Sequence, residues 1–298
     1  MILATKTLAA IDSALEADDG RTYRSFLKEA LLACSDGFST KVEGPREHLG
    51  CSLLGKKCSR QLWYGFRWAS YNTFPGRIHR LFNRGHLEEG RFVALLRMID
   101  CTVLPHDPQT GKQFRVKGYL GHVGGSLDGV VRGLPDLAIE MWALQEFKTH
   151  NDKSFKKVHS EGVREAKFEH YVQQQLYMNY YDLSWSFYGA VNKNDDDLHL
   201  ELVENDRVTA PQYMDRGATI VEAEKPPPRI SESPGWFECK ICSTRHICHG
   251  NQKLAVNCRT CIHAKPVEGG AWLCRRDCTA LSYDKQLIGC KHHAPIKG

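Results

Sequence analysis

Eight of the twelve cysteines lie in the last sixty residues of this 298-residue chain, and that crowding constrains its fold more than any other feature. They read Cys239-x2-Cys242-x5-Cys248, then Cys258-x2-Cys261-x12-Cys274-x3-Cys278, and last Cys290 followed by His292 and His293. Two-residue spacing lets one turn aim two thiolates at one ion, so the paired units point to metal sites. Cys34, Cys51, Cys58 and Cys101 are the remainder. At the N-terminus, Asp12, Glu16, Asp18 and Asp19 interrupt the apolar spacing, so the segment lacks the charge order of a secretion signal. A cytoplasmic location is expected, and in a reducing compartment clustered thiols bind metal before they form disulfides.

The charge is as uneven as the cysteines. Residues 239–298 carry ten Lys/Arg against three Asp/Glu, a net +7, while the whole chain is +5. A basic tail of this kind suits a module that lies along a polyanion, or a plain solvated surface. With 42% hydrophobic and 25% charged residues the chain has the composition of a globular protein. No stretch approaches the roughly 18 uninterrupted apolar residues of a membrane span. No GxxxxGK[ST] occurs, so a built-in ATP motor is not expected.

Periodicity places two amphipathic helices in residues 1–35, split by the breaker DDG, and helices over 58–69 and 82–98. Strands are predicted near 100–105, 113–119, 122–132 and 143–149, then helices over 152–159 and 166–182. A strand pair at 184–192 and 197–204 and a helix at 209–223 follow, with Pro226, Pro227 and Pro228 before the cysteine-rich tail. This order predicts an α/β fold with a mixed central sheet flanked by helices. The expected divisions are a helical arm (1–48), an α/β core (49–235) and a cysteine-rich module (236–298).

Chemistry concentrates in the β-rich stretch. GGSLDG puts Asp128 in a glycine-flanked strand, and ALQEFKT carries Glu146, Phe147 and Lys148. Alternation sends Glu146 and Lys148 to one face and Phe147 to the other. If the strands neighbour each other, Asp128, Glu146 and the Phe147 carbonyl form an all-oxygen site for a hard divalent cation. Lys148 beside them is placed to orient a water and offset phosphate charge.

An Asp strand, a Glu-x-Lys strand, a preceding acidic helix and a following Gln/Tyr helix together resemble the PD-(D/E)XK nuclease superfamily. In RGHLEEGRF the resemblance puts Glu89 at the metal-binding position, with His86 and Glu88 as competitors. In YVQQQLYMNYY it puts Gln173 and Tyr177 beside the site, with Gln175 as the alternative. The literal Pro135-Asp136 reads as a turn and ranks below Asp128. The fold implied is a restriction-endonuclease-like core, and the activity implied is Mg²⁺- or Mn²⁺-dependent DNA hydrolysis.

One cysteine before the core, Cys58, and three after it, Cys239, Cys242 and Cys248, resemble the iron–sulfur staple of CRISPR-associated RecB-like and AddB-type nucleases. That likeness implies a structural [4Fe–4S] cluster; the competing assignment is zinc alone with Cys58 a buried hydrophobe. The rest of the tail resembles the extension of phage-borne recombination nucleases, and Cys258, Cys261, Cys274 and Cys290 are the expected Zn²⁺ ligands, with Cys278, His292 or His263 as substitutes. Glu89 stands where the CRISPR and RecB branch commonly has His, which moves the likeness toward lambda-exonuclease-like and phage enzymes.

The resemblance therefore implies an exonuclease acting at DNA ends in phage-type recombination or repair, with a single-strand annealing protein as a possible partner. The alternatives are a spacer-trimming nuclease of CRISPR adaptation and a non-catalytic DNA-binding module with a vestigial centre. Trp63, Tyr64, Phe66 and Trp68 are expected in the core rather than on bases. Lys153, Lys156, Lys157, Arg164 and Lys167 form either a phosphate-contacting or a solvated face, and Asp195, Asp196 and Asp197 form a hairpin turn. His79, His106, His122 and His150 have no partners at motif spacing, and no role is expected of them.

Overall fold

The computed structural model describes residues 1–33, 44–71 and 73–297. Cys34 and part of the expected 1–48 arm lie outside them. The first elements are β1 (Ile2–Leu3), α1 (Thr5–Asp18), α2 (Arg21–Ala33), β2 (Leu49–Gly50), α3 (Cys51–Leu54), α4 (Ser59–Phe66) and α5 (Gly76–Met98). Next come β3 (Thr102–Leu104), β4 (Arg115–Gly118), β5 (Val123–Ser126), β6 (Val130–Arg132), β7 (Trp142–His150), α6 (Asp152–Ala166) and α7 (Phe168–Tyr180). The chain continues through β8 (Trp185–Asn192), β9 (Leu198–Glu204), α8 (Thr209–Glu222), α9 (Phe237–Lys240) and α10 (Arg245–Cys248). It closes with β10 (Ala264–Pro266), β11 (Trp272–Cys274), β12 (Thr279–Leu281) and α11 (Tyr283–Ile288). The described residues divide into two compact units, one within 1–42, 74–116 and 126–210, the other within 43–73, 117–125 and 211–298.

The first unit is a mixed six-stranded sheet in the order β1-β9-β8-β7-β6-β3, flanked by helices. Only β7 and β8 run parallel; the other neighbours are antiparallel. Parallel pairing needs a long crossover, and α6 with α7 supplies it. Covered on both faces, β7 is buried over most of its length, as central parallel strands are. Its odd positions Ala143 and Phe147 join Phe187 and Val191 of β8, Phe92 and Leu96 of α5, Ile11 of α1 and Ala30 of α2 in one apolar core. Phe92 and Phe147 stack with centroids 4.6 Å apart. Gly189 pairs with Phe147 in register, and a Cβ there would lie 3.0 Å from both rings, so the stack requires glycine. The N-terminal helices break where DDG predicts: α1 ends at Asp18 and Asp19 is left-handed.

Three expectations need correction. Helix α5 begins at Gly76 rather than 82, and α6 runs on past 159 to Ala166 with a break at Gly162. The single strand predicted over 122–132 is two: β5 pairs with β2, and β6 pairs with β3 and β7. Gly129 explains the break. Its φ of +136° is closed to L side chains, and a Cβ would meet the Leu104 carbonyl oxygen at 2.6 Å. Asp128, expected within a strand, therefore sits in the interruption between β5 and β6. Asp136 lies in a turn and caps α1, accepting from Lys6 N, Thr7 N and Thr7 Oγ1 at 2.7–3.0 Å.

In the second unit, Trp63, Tyr64, Phe66 and Trp68 are all buried, as expected for core. Between them lie two buried guanidinium groups, Arg67 and Arg259. Arg259 stacks 3.7 Å from the Trp68 ring centroid and donates to the Glu47 and Phe66 carbonyls and to Gln286 Oε1. Because Arg259 stands inside the Cys258-x2-Cys261 turn, these contacts fix that turn against the aromatic core. Strands β10, β11 and β12 form a small antiparallel sheet beyond it.

Candidate active site and cysteine clusters

Residue alternation builds the site from β7. Even positions Glu146, Lys148 and His150 face α6 and α7, opposite the Phe147 core. Asp128 is tied to the same strand: its Oδ2 accepts from Phe147 N at 2.9 Å, between the two polar residues, and Gln145 N donates to the Gly129 carbonyl at 2.9 Å. Lys148 Nζ donates to Glu146 Oε1 and, at 3.1 Å, to the Phe147 carbonyl. Gln173 of α7 reaches down to Glu146 Oε2 at 3.0 Å and lies 3.5 Å from the Tyr177 hydroxyl, one turn on. Glu89 of α5 acts on Asp128, Glu146 and Lys148 through its charge.

The electrostatics follow from three carboxylates whose charges act on one ammonium group. Burial and the charges of Glu146 and Glu89 hold Asp128 well above the usual carboxylate range, against the pull of Lys148. Burial raises Glu146 as well, with Lys148 opposing. Burial by itself would lower Lys148, but Glu146 and Asp128 overcome it and raise its pKa, so it stays an ammonium. The crowded oxygens thus lack enough positive charge, and a cation is what would relieve them.

The competitors have partners of their own. Glu88 is buried in an ion pair with Arg91 at 3.2 Å, and His86 is 3.6 Å from Glu89. Gln175 is engaged by the Glu204 carbonyl and Asp206 N. Asp195–Asp197 lie at the turn between β8 and β9, and Asp196 pairs with Arg91. Of the basic residues after β7, Lys156 pairs with Asp152 and Lys157 with Glu161 on an exposed helical face.

Sequence reasoning missed a polar chain continuing from the site beneath α6 and α7. His150 Nε2 and His170 Nδ1 each lie 3.0 Å from the Tyr188 hydroxyl, and His150 Nδ1 lies 2.9 Å from Ser154 Oγ. Tyr188 is the register partner of Glu146. The available signal was the even-numbered run Glu146, Lys148, His150; its partners depend on strand register, which no spacing reveals.

The cysteines of the second unit fall into two sets. Cys58, Cys239, Cys242 and Cys248 line one hollow, and burial with the three neighbouring thiols pushes Cys239 up. Cys258, Cys261, Cys274 and Cys290 line another with His263, His292 and His293, and burial with the other three thiols pushes Cys258 up to about 11. Cys278 is exposed and lies off this hollow. Among the described residues no three His, Cys, Asp or Glu side chains are drawn to coordination distance of one point. Cys51 and Cys101 are buried thiols in neither set. Among the described residues no helix is long and apolar enough to cross a membrane.

No family model and no curated protein matches the chain. Among solved structures, SSO0001 is similar over 77% of this chain and 97% of its own, at 12% identity and a TM-score of 0.44. LHK-Exo in complex with dAMP is similar over 66% of this chain and 90% of its own, at 13% identity and a TM-score of 0.36.

Proposed function

We propose that this protein is a divalent-metal-dependent DNA nuclease that hydrolyses phosphodiester bonds at DNA ends. The observation that carries the reading is Asp128 held on the Phe147 amide between Glu146 and Lys148, with Lys148 bonded to Glu146, Gln173 bracing Glu146 and the charge of Glu89 acting on all three. The donor set fits a hard cation, being all oxygen and short of positive charge. Asp128, Glu146, the Phe147 carbonyl and Glu89 are the groups that would hold Mg²⁺ or Mn²⁺. A cation bound there supplies Lewis-acid stabilisation of charge developing on the phosphate.

The chain's own groups do the rest. Lys148, kept protonated by its neighbours, orients the attacking water and offsets phosphate charge. Gln173, 3.5 Å from the Tyr177 hydroxyl, fixes the Glu146 carboxylate so that little reorganisation is needed during attack. In the second unit we assign Cys58, Cys239, Cys242 and Cys248 to a structural [4Fe–4S] cluster and Cys258, Cys261, Cys274 and Cys290 to structural Zn²⁺. Four thiols around one hollow suit either metal. The biological setting that suits the motif order is end processing in recombination or repair, beside a strand-annealing partner.

The test is cleavage of end-labelled linear and closed circular DNA with Mg²⁺ or Mn²⁺ by wild type and Lys148→Ala. The expected result is metal-dependent degradation of the linear form alone, lost in the variant, with unchanged circular dichroism and iron content. Wild-type rates in Lys148→Ala would overturn the assignment.

A further inference from the structure

The first two turns of α5 stand clear of the core. Buried positions on this helix begin at Glu88, while Phe74 just before it and Phe82 within it are 48% and 45% exposed. Their rings meet edge to face at 5.3 Å, and the His79 ring stands 6.3 Å from Phe74 and 6.5 Å from Phe82. Three aromatic rings clustered in solvent gain little from folding alone. The surrounding charge is of one sign: residues 74–87 contain Arg77, Arg80 and Arg84 and no Asp or Glu. Arg84 reaches the Lys193 carbonyl at 3.3 Å.

Position on the helix links this patch to the candidate active site. Phe82 and Glu89 are seven residues apart, two turns, which puts them on the same side of α5 about 10 Å from each other. We infer that Phe74, His79 and Phe82 form a base-stacking platform for single-stranded DNA, with Arg77, Arg80 and Arg84 on its phosphates. The inference rests on the nuclease reading and names its substrate form. Exposed rings amid arginines match a strand whose bases have free faces; in a duplex those faces are stacked and out of reach. A strand held there has its end directed along α5 toward Glu89.

The test uses the full chain in an Asp128→Asn background, so that bound strands are not cut. Fluorescence anisotropy compares a labelled single strand, the same length with consecutive abasic sites, and a duplex. The platform predicts base-bearing strand bound about tenfold tighter than abasic strand. It also predicts that Phe74→Ala with Phe82→Ala removes this preference and leaves the salt dependence unchanged, because the arginines remain. Equal binding of base-bearing and abasic strands, or a preference that survives the double substitution, would overturn the platform. So would sedimentation showing a wild-type dimer that the double variant dissolves, since the patch would then be a protein interface. Cleavage by the chain with native Asp128 is measured separately. Cleavage without a base preference overturns the platform alone, and failure to cleave with any divalent cation overturns the nuclease reading.

Discussion

Replacing Asp128 with Asn is expected to abolish cleavage and yet stabilise the metal-free protein. The side chain is buried, and with Glu146 and Glu89 it sets three carboxylates against the Lys148 ammonium, a formal excess of two negative charges. Asn keeps the volume and still accepts from Phe147 N, the contact now made at 2.9 Å by Oδ2. What is lost is a carboxyl group whose burial and acidic neighbours oppose its ionisation. Removing a group that its site opposes in this way is worth about 1–2 kcal/mol. That corresponds to roughly 2–8 °C in melting temperature for a unit of this size.

A bound cation reverses the order. At a hundred times its Kd it stabilises wild type by about 2.7 kcal/mol, and the variant, short of one ligand, gains far less. The assay is calorimetry in buffer freed of divalent cations by resin, mild enough to spare the proposed thiolate-bound metals, followed by titration with Mn²⁺. The two melting temperatures should cross during the titration. A variant less stable than wild type without metal would refute the charge argument, and an equal response to Mn²⁺ would refute ligation by Asp128.

Three further outcomes are expected. Gly189→Ala pushes a methyl to 3.0 Å from the Phe92 and Phe147 rings and should lower stability by about 1–3 kcal/mol in urea unfolding; an unchanged midpoint would mean the stack yields freely. Burial, then Lys167, Lys148 and Lys193, pull His150 from 6.5 down to about 4, so between those values the unfolded chain binds the extra proton. Stability is therefore full above pH 6.5 and falls toward pH 4 by up to about 3 kcal/mol, and His150→Gln should flatten melting temperature against pH over that window. Cys242→Ser should remove iron and spare zinc, and Cys274→Ser should do the reverse; loss of both metals from either variant would show that the two hollows are not independent sites.

What could be read in advance was whatever repeats with a short period. Strand β7 announces itself by alternation, which places Glu146 and Lys148 together and Phe147 opposite. A one-turn spacing on α7 likewise puts Gln173 and Tyr177 on one side. The DDG breaker between α1 and α2, and the turn at Asp136, are local chemistry and were equally legible. The two-residue strands β1 and β2 are too short to carry a period, and their pairing is decided by β9 and β5.

The break at Asp128 was hidden for a different reason. GGSLDG has the composition of a strand on both sides, and only the folded chain shows that Gly129 takes a φ of +136° where Leu104 and Gln145 leave no room for a side chain. That division matters chemically. An Asp within a regular strand would point to one face only, whereas in the interruption its carboxylate can turn to take the Phe147 amide between Glu146 and Lys148. The histidine–tyrosine chain depends likewise on the register that sets Tyr188 beside Glu146. Side chains forming the site are thus written in the sequence residue by residue, but their convergence is a property of strand pairing. It follows that shifting the β7–β8 register by one residue would leave Asp128, Glu146 and Lys148 together on the β6–β7 side and part them from Tyr188.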